Sequence, residues 1–366
     1  MEIKIKELFS EIKEPRVAGR CSHNLCDILT IALCTLLADG EDFEDMVVFG
    51  KEKESLLRTF LELPNGIPSH DTFNRVFQLL DYQSLDACLG KYGRTLLDFI
   101  AEKQICLDGK KLRGTSPTLR GNQGLYLLSA WVSENKICLG QRKVEDKSNE
   151  ITAIPLLLEQ IDITDSTVSI DAIGCQKSIA ELICSKKGNY FLAVKGNQKT
   201  LYEELIAGFE QHQAITGTEE WEYNHGRFEQ RQCSILSAKE VLSPDVLNQW
   251  KSIEIIIKIV SKRTIKNNTT TEVRYYISNE KIYKPNYFNK LGRGHWSIEN
   301  DLHWHLDVTF NEDACRARTK NAPINLSTIR KLGLFLLNQN NENLSLKKRR
   351  YKAALNDDYL LQLIGF

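Results

Sequence analysis

Three acidic residues stand where short apolar runs could deliver them to one place. Asp108 follows Ile-Cys-Leu, Asp171 follows Val-Ser-Ile, and Glu299 lies in GHWSIENDLHWHL, residues 294 to 306. An aspartate at a strand end is most often a turn or cap residue, so each is a weak signal alone. Together they are hard oxygen donors suited to Mg2+ or Mn2+. Two such ions about 3.5 to 4 Å apart can activate a water or a 3'-hydroxyl and stabilise the leaving oxygen at a phosphodiester. Rival chemistries lack their motifs: there is no GxSxG, and GKKLRGT at 109 to 115 lacks the spacing of a phosphate-binding loop. One competing centre remains. His295, Glu299 and His303 recur every four residues on one helical face, as zinc ligands could, although the segment is not HExxH and no cysteine stands nearby at ligand spacing.

The elements that must position these groups follow from periodicity. A short apolar run ends at Asp108, and GLYLLSAWVS (124 to 133) and KICLGQRKV (136 to 144) read as strands joined at Glu134-Asn135. ITAIPLLLEQI is helical, with Pro155 marking a start or a kink; STVSID (166 to 171) is a strand, Gln176 to Lys187 a helix, and NYFLAVKG (189 to 196) a strand. The order β-β-β-α-β-α-β is that of an RNase H-like sheet, in which the first and fourth strands are neighbours. Asp108 and Asp171 should therefore meet at the end where open α/β sheets place their ligands.

Residues from about 197 to 287 exceed that minimal fold and read as a β-rich insertion: CSILSAK, SIEIIIKIVSK and TEVRYYIS are strand-like, with a polar NNTTT turn at 267 to 271. The insertion leads to the Glu299 segment and a further helix, INLSTIRKLGLFLLNQ (324 to 339). Asp27 to about Phe99 is helical throughout, punctuated by Gly40, Gly66 and Pro68, with Ser69 placed to cap one helix. The expected class is thus α/β: a small helical domain (1–100), an RNase H-like catalytic domain with a β-rich insertion (101–340), and a basic tail (341–366).

Composition restrains this reading. The 366 residues carry 48 basic and 48 acidic side chains, a balance that counts mildly against nucleic acid. The charge is uneven, though: Lys347, Lys348, Arg349, Arg350 and Lys352 fall within six positions, either a solvated tail or a DNA contact. Lys195 and Asn197, just past a strand end, either position a phosphate or form a turn at Gly196. Trp296 and Trp304 either stack on an extruded base or anchor their helix, the second being favoured. Ten cysteines without a CxxC pair read as small hydrophobes rather than zinc ligands or disulfides. No apolar run reaches the roughly 18 to 20 residues of a membrane span, and the N-terminal stretch lacks a signal-peptide core, so a cytoplasmic, nucleoid-associated protein is expected.

The segments RCSHNLCDILTIALCTLLADGEDFEDMVVFG, GIPSHDTFNRVFQLLD, ICLDGKKLRGT, VSIDAIGCQKSIAELI, YFLAVKGNQ and GRGHWSIENDLHWHLDVTFNEDACRAR resemble the H-repeat-associated, ISAs-type insertion-sequence transposases, a DDE group. The resemblance covers nearly the whole chain from Arg20. It implies a transposase-associated helical domain, an RNase H-like catalytic domain, and binding to double-stranded DNA at terminal inverted repeats and at the target. It also implies a triad of Asp108 in LDGK, Asp171 in IDAIG and Glu299 in WSIEN. Holding two element ends implies a homodimer. One departure stands out. Related families carry Y-x2-R-x3-E-x6-K around the glutamate, where this chain has Gly292, His295 and Leu306; Arg293, His295, Trp296, Arg316 and Arg318 are the residues nearby that could substitute. An RNase H-like nuclease without mobility, or a catalytically silent DNA-binding descendant, are the alternatives.

Overall fold

The protein is described from a computed structural model covering residues 5–17, 19–97, 103–116, 124–145, 150–224, 226–266, 268–340 and 342–365. The N-terminal region is helical: α1 Ile5–Ser10, α2 Leu25–Leu37, α3 Phe43–Glu52, α4 Glu54–Leu57, α5 His70–Leu79 and α6 Tyr82–Leu97. Asp42 opens α3 with a reciprocal capping box, and the Ser69 hydroxyl accepts from the Thr72 amide to start α5, as its position predicts. α2 is buried almost end to end, which is why its sequence is apolar on every face. Burial there pushes the Cys34 thiol up to about 12, and it packs as a small hydrophobe. The expected boundary at residue 100 lies outside the described residues.

The sheet begins with β1 Gln104–Lys111, β2 Tyr126–Val132 and β3 Ile137–Val144, paired antiparallel in sequence order. After α7 Glu150–Gln160, which contains Pro155, β4 Thr167–Ile170 runs parallel to β1. α8 Lys177–Ser185 leads to β5 Asn189–Val194, parallel to β4. The order β3-β2-β1-β4-β5 is the expected RNase H-like one. β4 is buried along its whole length, as a strand covered on both faces must be.

Past α9 Lys199–Gln211, the β-rich stretch does not stand apart. It comprises β6 Ile215–Thr218, β7 Glu222–Asn224, β8 Arg227–Ser237, the short helices α10 Ala238–Val241 and α11 Pro244–Gln249, β9 Ile255–Ile265 and β10 Asn268–Ser278. β10 pairs with β5, so the insertion continues the same sheet in the order β5-β10-β9-β8-β6, with β7 beside β8. The expected turn at 267 to 271 is shorter than that, because the β-branched Thr269 to Thr271 are already laddered against Lys262 to Thr264. Phe191, Ile235, Ile257, Tyr276, Phe288 and Leu291 form a second core beneath α12 Pro285–His295.

From α12 the chain passes through a π-helical turn, Ile298–His303, into α13 Trp304–Val308, and then α14 Ala322–Gln339, which is buried over most of its length. The expected basic tail is instead folded: α15 Leu346–Leu355 and α16 Asp357–Ile364 pack on α2 and α14. Arg350 explains why the polar run conceals this, since its guanidinium is buried and serves as an internal donor. No helix among the described residues is long and apolar enough to cross a membrane.

Candidate active site

Leu107 is the last residue of β1 in register with β4, opposite Ile170. Asp108 and Asp171 each follow by one residue and so stand side by side, Asp108 still on β1 and paired with Ser129 of β2, Asp171 just past the end of β4. The Asp171 carboxylate accepts from the amides of Ile173 (3.0 Å) and Gly174 (3.4 Å), which fixes the turn after β4. Asp108 is largely buried, and its carboxyl is pushed up to about 7. Burial is the main cause, opposed by the Gly109 amide and reinforced by Glu150, Glu299 and Asp171. Glu299 comes from the π-helical turn and is likewise raised, by burial first, with Arg274 opposing and Asp171 adding to the shift. Asp108 therefore feels the charge of both Glu299 and Asp171, and Glu299 that of Asp171.

A fourth carboxylate joins them. Glu150, the first residue of α7, accepts a hydrogen bond from the Tyr126 hydroxyl, and its carboxyl is raised by burial and by Asp171. A Cβ on Gly109 would stand 2.4 Å from Glu150 Oε1 and 2.3 Å from Tyr126 Cε1, so glycine beside Asp108 is what admits both side chains. Sequence reading missed Glu150 because it opens an ordinary helix; the glycine after Asp108 was the available signal.

The histidines do not build a zinc site. His295 turns its Nδ1 toward Ser169 Oγ on β4, 3.1 Å away, and burial, aided by Arg274, pushes it down to about 4. His303 Nδ1 lies 3.5 Å from Asp108 Oδ2, its Nε2 is buried without a hydrogen-bond partner among the described residues, and burial, with Lys331 and Lys110, pushes it down to about 3. Both rings are neutral at pH 7 and face different neighbours because the π-helical turn breaks the four-residue spacing. Among the described residues no three His, Cys, Asp or Glu side chains stand close enough to share an ion as placed, the triad included.

The expected nucleic-acid contacts divide. Lys195, Arg316, Lys347 and Lys348 are exposed. Asn197 donates to the Ala172 carbonyl at 2.6 Å, tying the end of β5 to the residue after Asp171. Arg293 pairs with Glu219 (3.4 Å) and Glu222 (2.7 Å), and Arg318 donates to the Gly114 carbonyl at 2.9 Å. Two assignments are overturned. Arg349 spends its donors on the carbonyls of Leu337, Asn340, Glu342 and Leu344 at the end of α14, and Arg350 donates to those of Leu36, Gly40 and Thr309. Trp304, expected as a core anchor, is half exposed, whereas Trp296 lies under the Arg274 guanidinium at 4.1 Å. Lys110 was not anticipated: buried two residues after Asp108, it binds Asp307 and the buried Glu312 and so fastens β1 to the segment after Glu299.

The profile described as "Transposase DDE domain" matches residues 101–334, and one described as "DDE_Tnp_1-associated" matches 6–93. The H repeat-associated protein YhhI of Escherichia coli is 34% identical over 378 residues, covering 100% of this chain and 99% of that one. A protein encoded in the dhlA 3' region of Xanthobacter autotrophicus is 40% identical over 291 residues, 75% of this chain and 93% of its own. Among solved structures, a piggyBac transposase synaptic complex with hairpin DNA aligns at a TM-score of 0.44 and 11% identity over 98% of this chain and 77% of that one, too loosely to add to the argument. The sheet order, the carboxylates at its neighbouring strands β1 and β4, and these matches lead to one conclusion: the chain belongs to the H-repeat-associated family of DDE transposases.

Proposed function

We propose that this protein is the transposase of an insertion sequence, binding the terminal inverted repeats of its element, cutting the DNA there and joining the freed 3'-hydroxyl to target DNA in the cytoplasm. The observation that carries the reading is that Asp108, Asp171 and Glu299 come from three separate elements, with Asp108 within electrostatic reach of the other two. Repulsion of this kind favours divalent cations, and an all-carboxylate donor set fits Mg2+ or Mn2+ better than softer metals. Asp108, Asp171 and Glu299 would hold the ions, probed as a pair, and Glu150 borders them. Bound there, the ions would supply Lewis-acid activation of the attacking hydroxyl and neutralise charge on the phosphate.

The chain's own residues do the rest. Asp171 is pre-set by its turn amides, and the His303 ring lies against Asp108, neutral and without charge to compete for it. Lys110 fixes the distance between the Asp108 strand and the helical segment bearing Glu299. Holding two DNA ends calls for a homodimer. The test is strand cleavage and transfer on a duplex taken from the DNA bordering the gene, in Mg2+ or Mn2+. Asp108→Asn, Asp171→Asn and Glu299→Gln should each lower the rate by roughly three orders of magnitude or more. An Asp108→Asn protein that still cuts would sink the assignment. Wild-type protein that binds ends without cutting would instead mark a silent descendant.

A further inference from the structure

A phosphate-handling site lined by carboxylates needs a cation that is not already consumed. Near Glu299 the obvious cations are consumed. Lys110 is held by Asp307 and Glu312, Lys331 by Ser129 and Gln141, and Arg293 by Glu219 and Glu222. Arg274 has one carboxylate partner among the described residues, where Lys110 and Arg293 each have more than one. It rises from β10, in the insertion, with its guanidinium carbon 4.1 Å from the centre of the Trp296 ring, three residues before Glu299. A guanidinium set over an indole is held in place by cation–π attraction. Its ionic partner is Glu272, two residues back on the same strand, which accepts from both Nε and Nη2 at 2.8 Å, and the Tyr276 side chain is a further hydrogen-bond neighbour. The Glu272 side chain is 60% exposed and Arg274 is 26% exposed, so the pair is solvent-screened and exchangeable. A phosphodiester accepting two charge-assisted hydrogen bonds is a stronger partner than that carboxylate. The field of Arg274 reaches both Glu299 and His295, favouring the charged carboxylate on one and the neutral ring on the other.

We propose that Arg274, braced on Trp296, grips a DNA backbone phosphate next to Glu299 and so seats the strand to be cut against the carboxylates. The inference rests on the transposase reading above. Its chemistry is that of a phosphodiester, with no base preference, and it gives the insertion a direct part in the site: β10 carries both the hydrogen bonds to β5 and this cation.

The test measures binding of the full-length chain to a labelled duplex about 40 base pairs long, taken from the DNA bordering the gene, over a range of salt. Every protein carries Asp108→Asn so that cleavage does not intervene. Arg274→Ala should weaken binding about tenfold and reduce the slope of log affinity against log salt by about one contact. Arg274→Lys should restore the slope but only part of the affinity, because an ammonium cannot form the bidentate, stacked arrangement. Trp296→Leu, which loosens the brace and keeps the charge, should lower affinity with the slope intact. Arg274→Ala binding with unchanged affinity and slope overturns the proposal and leaves the transposase reading standing. Arg274→Ala and Trp296→Leu losing affinity equally, with neither altering the slope, also overturns it, since Arg274 would then only support the fold. A parent protein with no salt-dependent DNA binding overturns both.

Discussion

Replacing Arg350 with alanine should unfasten the C-terminal helices from the rest of the protein. The side chain is 1% exposed, and its guanidinium donates to Leu36 O at 2.8 Å, Gly40 O at 2.9 Å and Thr309 O, while stacking 4.5 Å from the Phe310 ring. These acceptors belong to the end of α2, the turn after it, and the segment following α13. Arg350 is thus one donor shared by three parts of the fold. Burial, softened by Asp39 at 3.1 Å, pushes its ionisation down to about 10, so it stays charged at neutral pH. Its removal strands buried carbonyls, for a loss of about 4 kcal/mol. In a chain of this length unfolding as one unit, that corresponds to a fall in Tm of about 5 °C. Circular dichroism melting of Arg350→Ala beside a Lys347→Ala/Lys348→Ala control reads it directly. The control should melt as wild type does, because those lysines are exposed. If Arg350→Ala melted within about 1 °C of wild type and lost DNA affinity instead, the basic run would be a nucleic-acid contact and the packing argument would be wrong.

Three other predictions can be checked with equally simple measurements. Gly109→Ala should abolish strand cleavage and lower Tm, since its methyl would meet Tyr126 and Glu150 at 2.3 to 2.4 Å; full activity would show that those side chains yield freely. Lys110→Met should destabilise the protein by about 3 kcal/mol in denaturant titration, by stranding the buried Glu312 carboxylate. Burial, opposed by the Gln141 amide and Lys331, raises Asp86 to about 6. The folded state therefore prefers its neutral form, and the stability it contributes is present below about pH 4 and lost as pH rises through 6. Asp86→Asn should accordingly leave Tm unchanged near pH 4 and raise it at pH 8, and a pH-independent difference would refute the assignment.

Much of the catalytic half was legible because its signals are local. The apolar runs before Asp108 and Asp171 marked the two strands, although β1 continues to Lys111, and the spacing of strands and helices set the order, so adjacency of the two aspartates followed. Glu299 was legible chiefly through family resemblance, because a helical segment returning to a sheet has no period that says where it lands. What stayed hidden depends on contacts between distant residues. Nothing in KKRRYK distinguishes the buried Arg350 from the exposed Lys347, since two of the three carbonyls that use it, those of Leu36 and Gly40, lie 314 and 310 residues away. Arg274 sits in a strand whose attachment to β5 is a tertiary fact, and Glu150 opens a helix that reads as any other.

The π-helical turn at Ile298–His303 has a consequence for how this chain can change. A π turn holds about one residue more than an α turn, an arrangement that sequence drift readily erases unless something retains it. Here Glu299 is aligned from the α12 side, while His303 and the Lys110 clamp on Asp307 are aligned from the α13 side. Deleting one residue between them would let the segment rewind as a regular α-helix with its two flanks little rotated, and the side chains within the turn would lose the offset that the extra residue gives them. A length change harmless in a surface loop would there misalign the acid site in a single step.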